Sequence, residues 1–407
     1  MQCVYMFQIH GGSRNKMNGL ACYGKYFKEN FELQFPGLTW AHFDTVNNAI
    51  GSVSTDDLSN ARKLLIKQLI RKKVCRAKDG YHHIIFDGTG VCSYKNAPVD
   101  NAYYRTKNDT TTYYAYVLEA KLLTNDNMVL SVASEMLNND NNEEFDKQDC
   151  EGKAFKRLAA RIHEDFPRLP ICIHLDGLYA NGPVMDICEQ YGWKYIITRK
   201  DGNLKKLDEQ IIDKSSKEKK VFSYPVVVNP KGKNVIYGDA SFCWVDGLTH
   251  QDHQFNYMEG LIPVYDPKQE ATEFTKFAYI TNLEIKDSAV DNDKLEKAVI
   301  ARVECGRVRW KIENEGFNIQ KNNGFNMEHK FVRNSIINLH KYYILLQIAH
   351  IITQLAIKSK VVSAFLAKDG RATVQLLWTM LMSVITVTLL DAEKLYAGRA
   401  KCQIRLE

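Results

Sequence analysis

His82-His83-Ile84-Ile85-Phe86-Asp87-Gly88-Thr89-Gly90 is a short apolar run that stops at an acid and then turns to glycine. Ile171-Cys172-Ile173-His174-Leu175-Asp176-Gly177-Leu178-Tyr179 repeats that form. Short apolar runs bounded by turn formers predict buried strands, here each closed by an aspartate. Between them, Tyr113–Lys121 and Met128–Glu135 are rich in Tyr, Val and Leu and predict two more strands. The connections among these first three strands are too short for crossover helices, so an antiparallel meander is expected. The polar stretch Asn138–Asp149 reads as a loop. Lys153 to Phe166 then reads as an amphipathic helix, with Phe155, Leu158, Ala159 and Ile162 on its apolar side. Ile171–Asp176 is the fourth strand, Pro183–Tyr191 a helix and Tyr195–Thr198 a further strand. Strands that alternate with helices add in parallel. Asp87 and Asp176 are therefore expected at the same end of adjacent central strands.

Outward from this core the pattern changes. Residues 1–50 are aromatic-rich and show little periodicity, so they read as irregular. A helix begins near Thr55-Asp56 and runs to about Val74, with an apolar stripe of Leu58, Leu64, Leu65, Leu69 and Ile70. Arg62, Lys63, Lys67, Arg71, Lys72 and Lys73 crowd it, which predicts either a solvated basic face or a phosphate-contacting one. Val221–Val228, Asn234–Gly238 and Ser241–Val245 read as short strands separated by turns such as Asn229-Pro230-Lys231-Gly232. They predict a β-rich insertion over residues 201–275. Phe277–Leu283 returns to the core, Asp293 to Lys321 is helical with a bend near Gly306, and the chain is largely helical from Glu328 onward.

With 407 residues, 45% of them hydrophobic and 25% charged, the chain has the composition of a globular protein of two or three domains. The net charge of +6 is compatible with a polyanionic partner without demanding one. Ten scattered cysteines include no Cys-x-x-Cys pair, as expected of a reducing compartment rather than a disulfide framework. The first ten residues have neither the basic region nor the apolar core of a signal peptide. The apolar stretch Leu376–Leu390 is too short for a confident membrane span and reads as a buried helix.

Hard divalent cations are held by carboxylates, and a pair of them can activate the attacking oxygen and stabilise the leaving oxygen of a phosphodiester. Asp87 and Asp176 suit that task, with Glu313 from the segment Arg309-Trp310-Lys311-Ile312-Glu313-Asn314-Glu315-Gly316-Phe317 as a third acid. In a regular α-helix Glu313 and Glu315 point about 200° apart, so only one can face the aspartates. Arg309 lies one turn above Glu313, placed to neutralise phosphate or orient the carboxylate. Gln320 lies almost directly below it, and Lys321 about 80° away. Glu313 is favoured and Glu315 is the alternative. Each acid alone is more often a turn former or half of a surface ion pair. Trp244 is a candidate for stacking a flipped base, or a core residue. His82 and His83 alternate faces of a strand and read as packing. His250-Gln251-Asp252-His253 offers ligand types without a partner cluster. Cys172 and Cys188 lack a triad context, and no Walker-type phosphate loop is present.

The stretches Phe86–Gly90, His174–Tyr179 and Arg309–Glu313, the last running on through Phe317 and Lys321 to His329, resemble the DDE transposases of bacterial insertion sequences. The likeness is to the branch with a β-rich insertion in an RNase H-like core, and it spans roughly residues 80–355. The gaps of 89 and 137 positions between successive acids agree with it, the second being long enough for the insertion. The resemblance implies an α/β fold: an RNase H-like mixed sheet flanked by helices, with the insertion and a helical C-terminal region. It implies a partly helical, DNA-contacting region at 1–79, core at 80–200 and 276–335 around the insertion at 201–275, and helices at 336–407. It implies catalysis by Asp87, Asp176 and Glu313 with two Mg²⁺ (or Mn²⁺) ions, and DNA contacts from Arg309 and Lys321. Trp244 and the Lys63, Lys67 and Arg71 face would also touch DNA. Of the signature around the glutamate, Arg309 fits, whereas the Tyr position falls on Gly306 and the Lys position on Gln320, one residue before Lys321. The implied partners are terminal inverted repeats and target DNA, met by a homodimer in the bacterial cytoplasm, with no membrane. Two rival readings share the residues: an RNase H-like metal nuclease without strand transfer, and a defective or truncated transposase-derived DNA-binding protein.

Overall fold

The computed structural model describes the chain except residues 98–101, 138–149, 201–204, 216–219, 229–236, 267–270, 285–291, 368–371 and 402–407. The predicted loop at Asn138–Asp149, the turn at Asn229–Gly232 and most of the short strand at Asn234–Gly238 lie outside the described residues. The architecture is mixed α/β: an N-terminal helical region, a central mixed sheet and further C-terminal helices. The chain forms two compact units, one of residues 1–76, 88–158 and 313–407, the other of 77–87 and 159–312.

In the first unit, α1 (Gln2–Gln8), α2 (Arg14–Tyr23), α3 (Phe27–Gln34), α4 (Phe43–Ser52) and α5 (Thr55–Arg71) precede β1 (His82–Tyr94), which runs on from the second unit. Four of these helices occupy the stretch read as irregular. They are only 7–10 residues long, and α1 is buried from Gln2 through Phe7, so no polar face marks its period. Aromatic packing stands in for periodicity: Tyr5 meets Phe27, Phe31 and Phe35, and Trp40 meets Phe27, Phe31 and Phe43. Ser13 and Ser54 cap α2 and α5 through the backbone N–H groups of Lys16 and Asp57.

β3 (Thr110–Leu123) is the neighbour of β1, and its other edge takes β2 (Tyr104–Lys107) and β4 (Val129–Met136), both antiparallel. α6 (Glu151–Asp165) buries Phe155, Leu158, Ala159 and Ile162, the predicted apolar side. α10 (Ile319–Asn322), α11 (Ile336–Ile357), α12 (Lys360–Ala367), α13 (Val374–Val387) and α14 (Ala392–Lys401) complete the unit. α11 is buried on nearly every side. Its Gln354 accepts from Val129 N–H (2.8 Å) and donates to Val129 C=O (3.1 Å), so one amide completes the backbone pairing of a strand-end residue. α13, expected to be buried, buries only Ile385 and exposes Leu376, Met380, Val384 and Val387. Among the described residues no single helix is long and apolar enough to cross a membrane.

Burial in this unit holds histidines neutral. His10 is depressed to about 4 and His350 well below its ordinary value, both chiefly through desolvation. A histidine depressed on folding takes up its proton in the unfolded chain first. Stability is therefore full above pH 6.5 and falls as pH drops from there towards 4. Thermal unfolding should show a lower midpoint at pH 5 than at pH 7, and His10→Phe should flatten that dependence.

The second unit holds the first half of β1, then β5 (Ile171–Leu175), α7 (Gly182–Gln190), β6 (Lys194–Thr198), α8 (Lys205–Ser215), β7 (Lys220–Val227), β8 (Tyr237–His250), β9 (His253–Asp266), β10 (Ala271–Thr281) and α9 (Asn292–Arg307). Strand order is β1-β5-β6-β10-β9-β8-β7, with β1, β5 and β6 parallel and the remainder antiparallel. The β-rich insertion does not close on itself. β10 pairs with β6 over only Tyr279–Thr281 but with β9 along its whole length, so the inserted strands extend the same sheet. α9 covers them, setting Leu295, Val299 and Val303 among Phe242, Trp244 and Met258.

Candidate active site

β1 and β5 pair in parallel with His83 opposite Cys172 and Ile85 opposite His174. Two residues further on, the same count sets Asp87 opposite Asp176. Strand alternation puts His83, Ile85 and Asp87 on one face, together with Cys172, His174 and Asp176. Asp176 thus directly follows the last residue of β5, level with Asp87, which lies mid-strand because β1 runs on to Tyr94 instead of stopping at the acid as expected. Their side chains are 24% and 27% exposed, enough to meet a ligand from solvent.

Each carboxylate already faces a cation. Arg309 donates to Asp87 Oδ2 from Nη1 at 3.0 Å, and Lys200 Nζ lies 3.3 Å from Asp176 Oδ2. The other oxygen of Asp176 accepts from Leu178 N–H at 2.8 Å, capping the 3₁₀ turn Gly177–Tyr179 and fixing the carboxylate's direction. The two acids are oxygen ligands of the type that divalent ions take, but among the described residues the group of three ligand atoms close enough to share an ion is a different one, His83, Cys172 and His174. Lys200 had no place in the sequence reading; its only signal was its position just past the fifth predicted strand.

The segment after α9 is not the regular helix on which the phase argument stood. Val308–Trp310 is 3₁₀ and Ile312–Asn318 is a π-helical turn. The angular choice of Glu313 over Glu315 therefore does not carry over. Glu313 is exposed and Glu315 half-buried, both within the π turn and both belonging to the first unit.

Gly306, at the signature's tyrosine position, has no room for a side chain. A Cβ there would lie 2.7–2.8 Å from ring atoms of Tyr279 on β10. Gly306→Ala should destabilise the protein by about 1–3 kcal/mol, as overpacking does, and urea unfolding would measure it.

Gln320 is fully buried and hydrogen-bonded to Gln347 and His350, so it cannot reach a phosphate. Lys321 is partly exposed and pairs with Glu328 at 3.1 Å. Lys321 and Lys16 line one cavity of the first unit, and Arg14, Lys330 and Arg333 line another of about 760 Å³. On α5, Lys67 and Arg71 are exposed and Lys63 half-buried, but Arg62 turns inward to Ser131 and Ser134. Trp244 is 1% exposed and its indole N–H donates to Asp246. A tryptophan closed into the α9-covered core cannot stack a base, so the DNA-contact expectation for Trp244 is corrected. His253 is buried between Asp186 (3.3 Å) and Glu189 (2.8 Å).

One constellation escaped the sequence reading. His83, Cys172 and His174 offer ligand atoms that lie within 4.8 Å of one another, all buried. The chain matches no protein-family model and no curated protein.

Proposed function

We propose that this chain is a DDE-type transposase of a bacterial insertion sequence, built on an RNase H-like core and acting on DNA in the cytoplasm. The observation that carries the reading is the level placement of Asp87 and Asp176 on adjacent parallel strands, with Arg309 on the first of them. The strand plan supports it. β1 has β3 and then β4 on one side and β5 and then β6 on the other, and helices α6 and α7 follow β4 and β5. The third acid is Glu313, with Glu315 as alternate.

When bound, two Mg²⁺ ions would supply Lewis-acid stabilisation for the attacking and leaving oxygens. Asp87 and Asp176 provide the oxygen ligands, and Asp176 is held in place by its cap to Leu178. Arg309 and Lys200 can turn from the carboxylates to an incoming phosphate. Lys321 and Lys16, and the cavity lined by Arg14, Lys330 and Arg333, give the first unit basic surface for phosphate, and Lys67 and Arg71 on α5 offer further exposed cations. The DNA partners are the element's terminal repeats and a target duplex, engaged by two copies of the chain.

The test is incubation of the purified chain with DNA carrying the repeats that flank its gene, with and without Mg²⁺. Cleavage at the repeat end followed by joining of the freed 3′-hydroxyl to a target supports the reading. Cleavage without joined product would make it a nuclease, and binding without cleavage a repurposed DNA-binding protein.

A further inference from the structure

Directly beneath the aspartate pair, on the same face of β1 and β5, lies a second set of ligand-type side chains of different chemistry. His83 Nδ1 is 2.8 Å from His174 Nε2, and Cys172 joins them within the 4.8 Å set. Cys305 on α9 closes the group from above, its sulfur 3.6 Å from His83 Nδ1. None of the four is more than 3% exposed. His83 Nε2 lies 3.3 Å from the Lys78 carbonyl. A carbonyl only accepts, so the His83 proton sits on Nε2 and a lone pair on Nδ1 points into the cluster. Backbone anchoring of the outer nitrogen is the usual support of a metal-ligating histidine. His174 Nδ1 has no hydrogen-bond partner, so the ring is buried with its polar capacity only half used.

We propose that His83, Cys172, His174 and Cys305 form a structural zinc site. Two imidazoles and two sulfurs are the donor set of a closed tetrahedral centre. Metal–nitrogen and metal–sulfur bonds of ordinary length set ligand atoms roughly 3.3–3.8 Å apart, so His83, Cys172 and His174 need only small side-chain movements, and Cys305, 3.6 Å from His83 Nδ1, a turn towards the other two. Carboxylates are absent from the four, which separates this site from a magnesium site one step along the same strands. Both thiols lose their protons to solvent on binding, and the imidazoles enter neutral. With four protein ligands and no open position the ion pins β1, β5 and α9 together below the acids and takes no part in phosphoryl transfer. The proposal stands independently of the transposase reading.

The full chain, expressed in zinc-supplemented medium and dialysed against a chelator, should retain roughly one zinc per molecule by elemental analysis. Protein grown in cobalt should show thiolate-to-cobalt charge-transfer absorption. Cys172→Ser and Cys305→Ser should each lose the metal and weaken those bands. If either variant fails to fold by circular dichroism, the wild-type cobalt spectrum decides. Folded wild-type protein free of zinc, or a cobalt spectrum without sulfur bands, overturns the proposal. So does metal that persists in the serine variants and disappears in Asp87→Asn.

Discussion

Asp176→Asn is expected to lower Mg²⁺-dependent strand transfer by about 10²–10³-fold or more, the cost of removing one group that stabilises charge developing in a transition state. The substitution is chosen because the structure separates two jobs of this side chain. One oxygen caps Leu178 N–H and the other faces Lys200 across 3.3 Å. Asparagine caps as well as aspartate, so the turn and the fold should persist while the negative charge is lost. Joined products quantified on gels, beside an unchanged unfolding midpoint, would separate the chemical role from a structural one. Asp87→Asn should act similarly, and it also releases Arg309 from its ion pair. Activity within a few-fold of wild type in both variants would remove the aspartates from the chemistry. Glu313→Gln and Glu315→Gln compared side by side would then identify the third acid.

The largest stability effect is expected away from the site. Arg62, Glu119 and Lys121 are at most 1% exposed in the first unit. Arg62 donates to Ser131 (2.9 Å) and Ser134 (3.0 Å), Tyr343 donates to Glu119 (2.9 Å), and Lys121 donates to Gln347 (2.9 Å). Desolvation lowers Lys121 to about 8, opposed by the attraction of Glu119, and raises Glu119. Glu119 is thus an anion that attracts both buried cations. Glu119→Leu alone should cost about 3–5 kcal/mol, because it leaves Arg62 and Lys121 uncompensated. Replacing all three by apolar residues of similar volume should cost far less, since the desolvation of the charges disappears with them. Urea midpoints of the single and triple variants would settle the matter. A single variant as stable as wild type would mean that water or a proton relieves the charge.

These same residues show where sequence patterning stops. Asp176 was legible because β5, buried along its length, is written as an unbroken apolar run closed by an acid and a glycine; at Asp87 the same signal did not mark a strand end, since β1 carries on through Gly88-Thr89-Gly90 to Tyr94. The order of strands and helices from residue 82 to 198 followed from the apolar runs and the lengths between them, except for β2, whose four exposed residues carry no apolar signal. Arg62 was not legible, since one inward arginine among four basic residues on α5 leaves the helix looking like a solvated face. Glu119 and Lys121 sit in a strand whose composition predicts burial but not what neutralises it. The zinc ligands come from three segments, and the pairing of His83 with Cys172 and His174 exists only once the parallel register is set. Trp244 was ambiguous because a tryptophan in a short strand serves a core or a stacking surface equally well; the cover supplied by α9 decides it.

The π-helical turn at Ile312–Asn318 makes chain length itself a determinant. Each of its hydrogen bonds spans one residue more than in an α-helix. One residue removed from the turn would restore regular bonding and swing every downstream side chain round the axis. Gln320 would leave the amide partners that fix it in the core. After the turn, Gln320 is locked into the interior of the first unit by Gln347 and His350, and that register depends on the turn's length. Related chains should therefore vary in residue identity within this turn more readily than in the number of residues it contains.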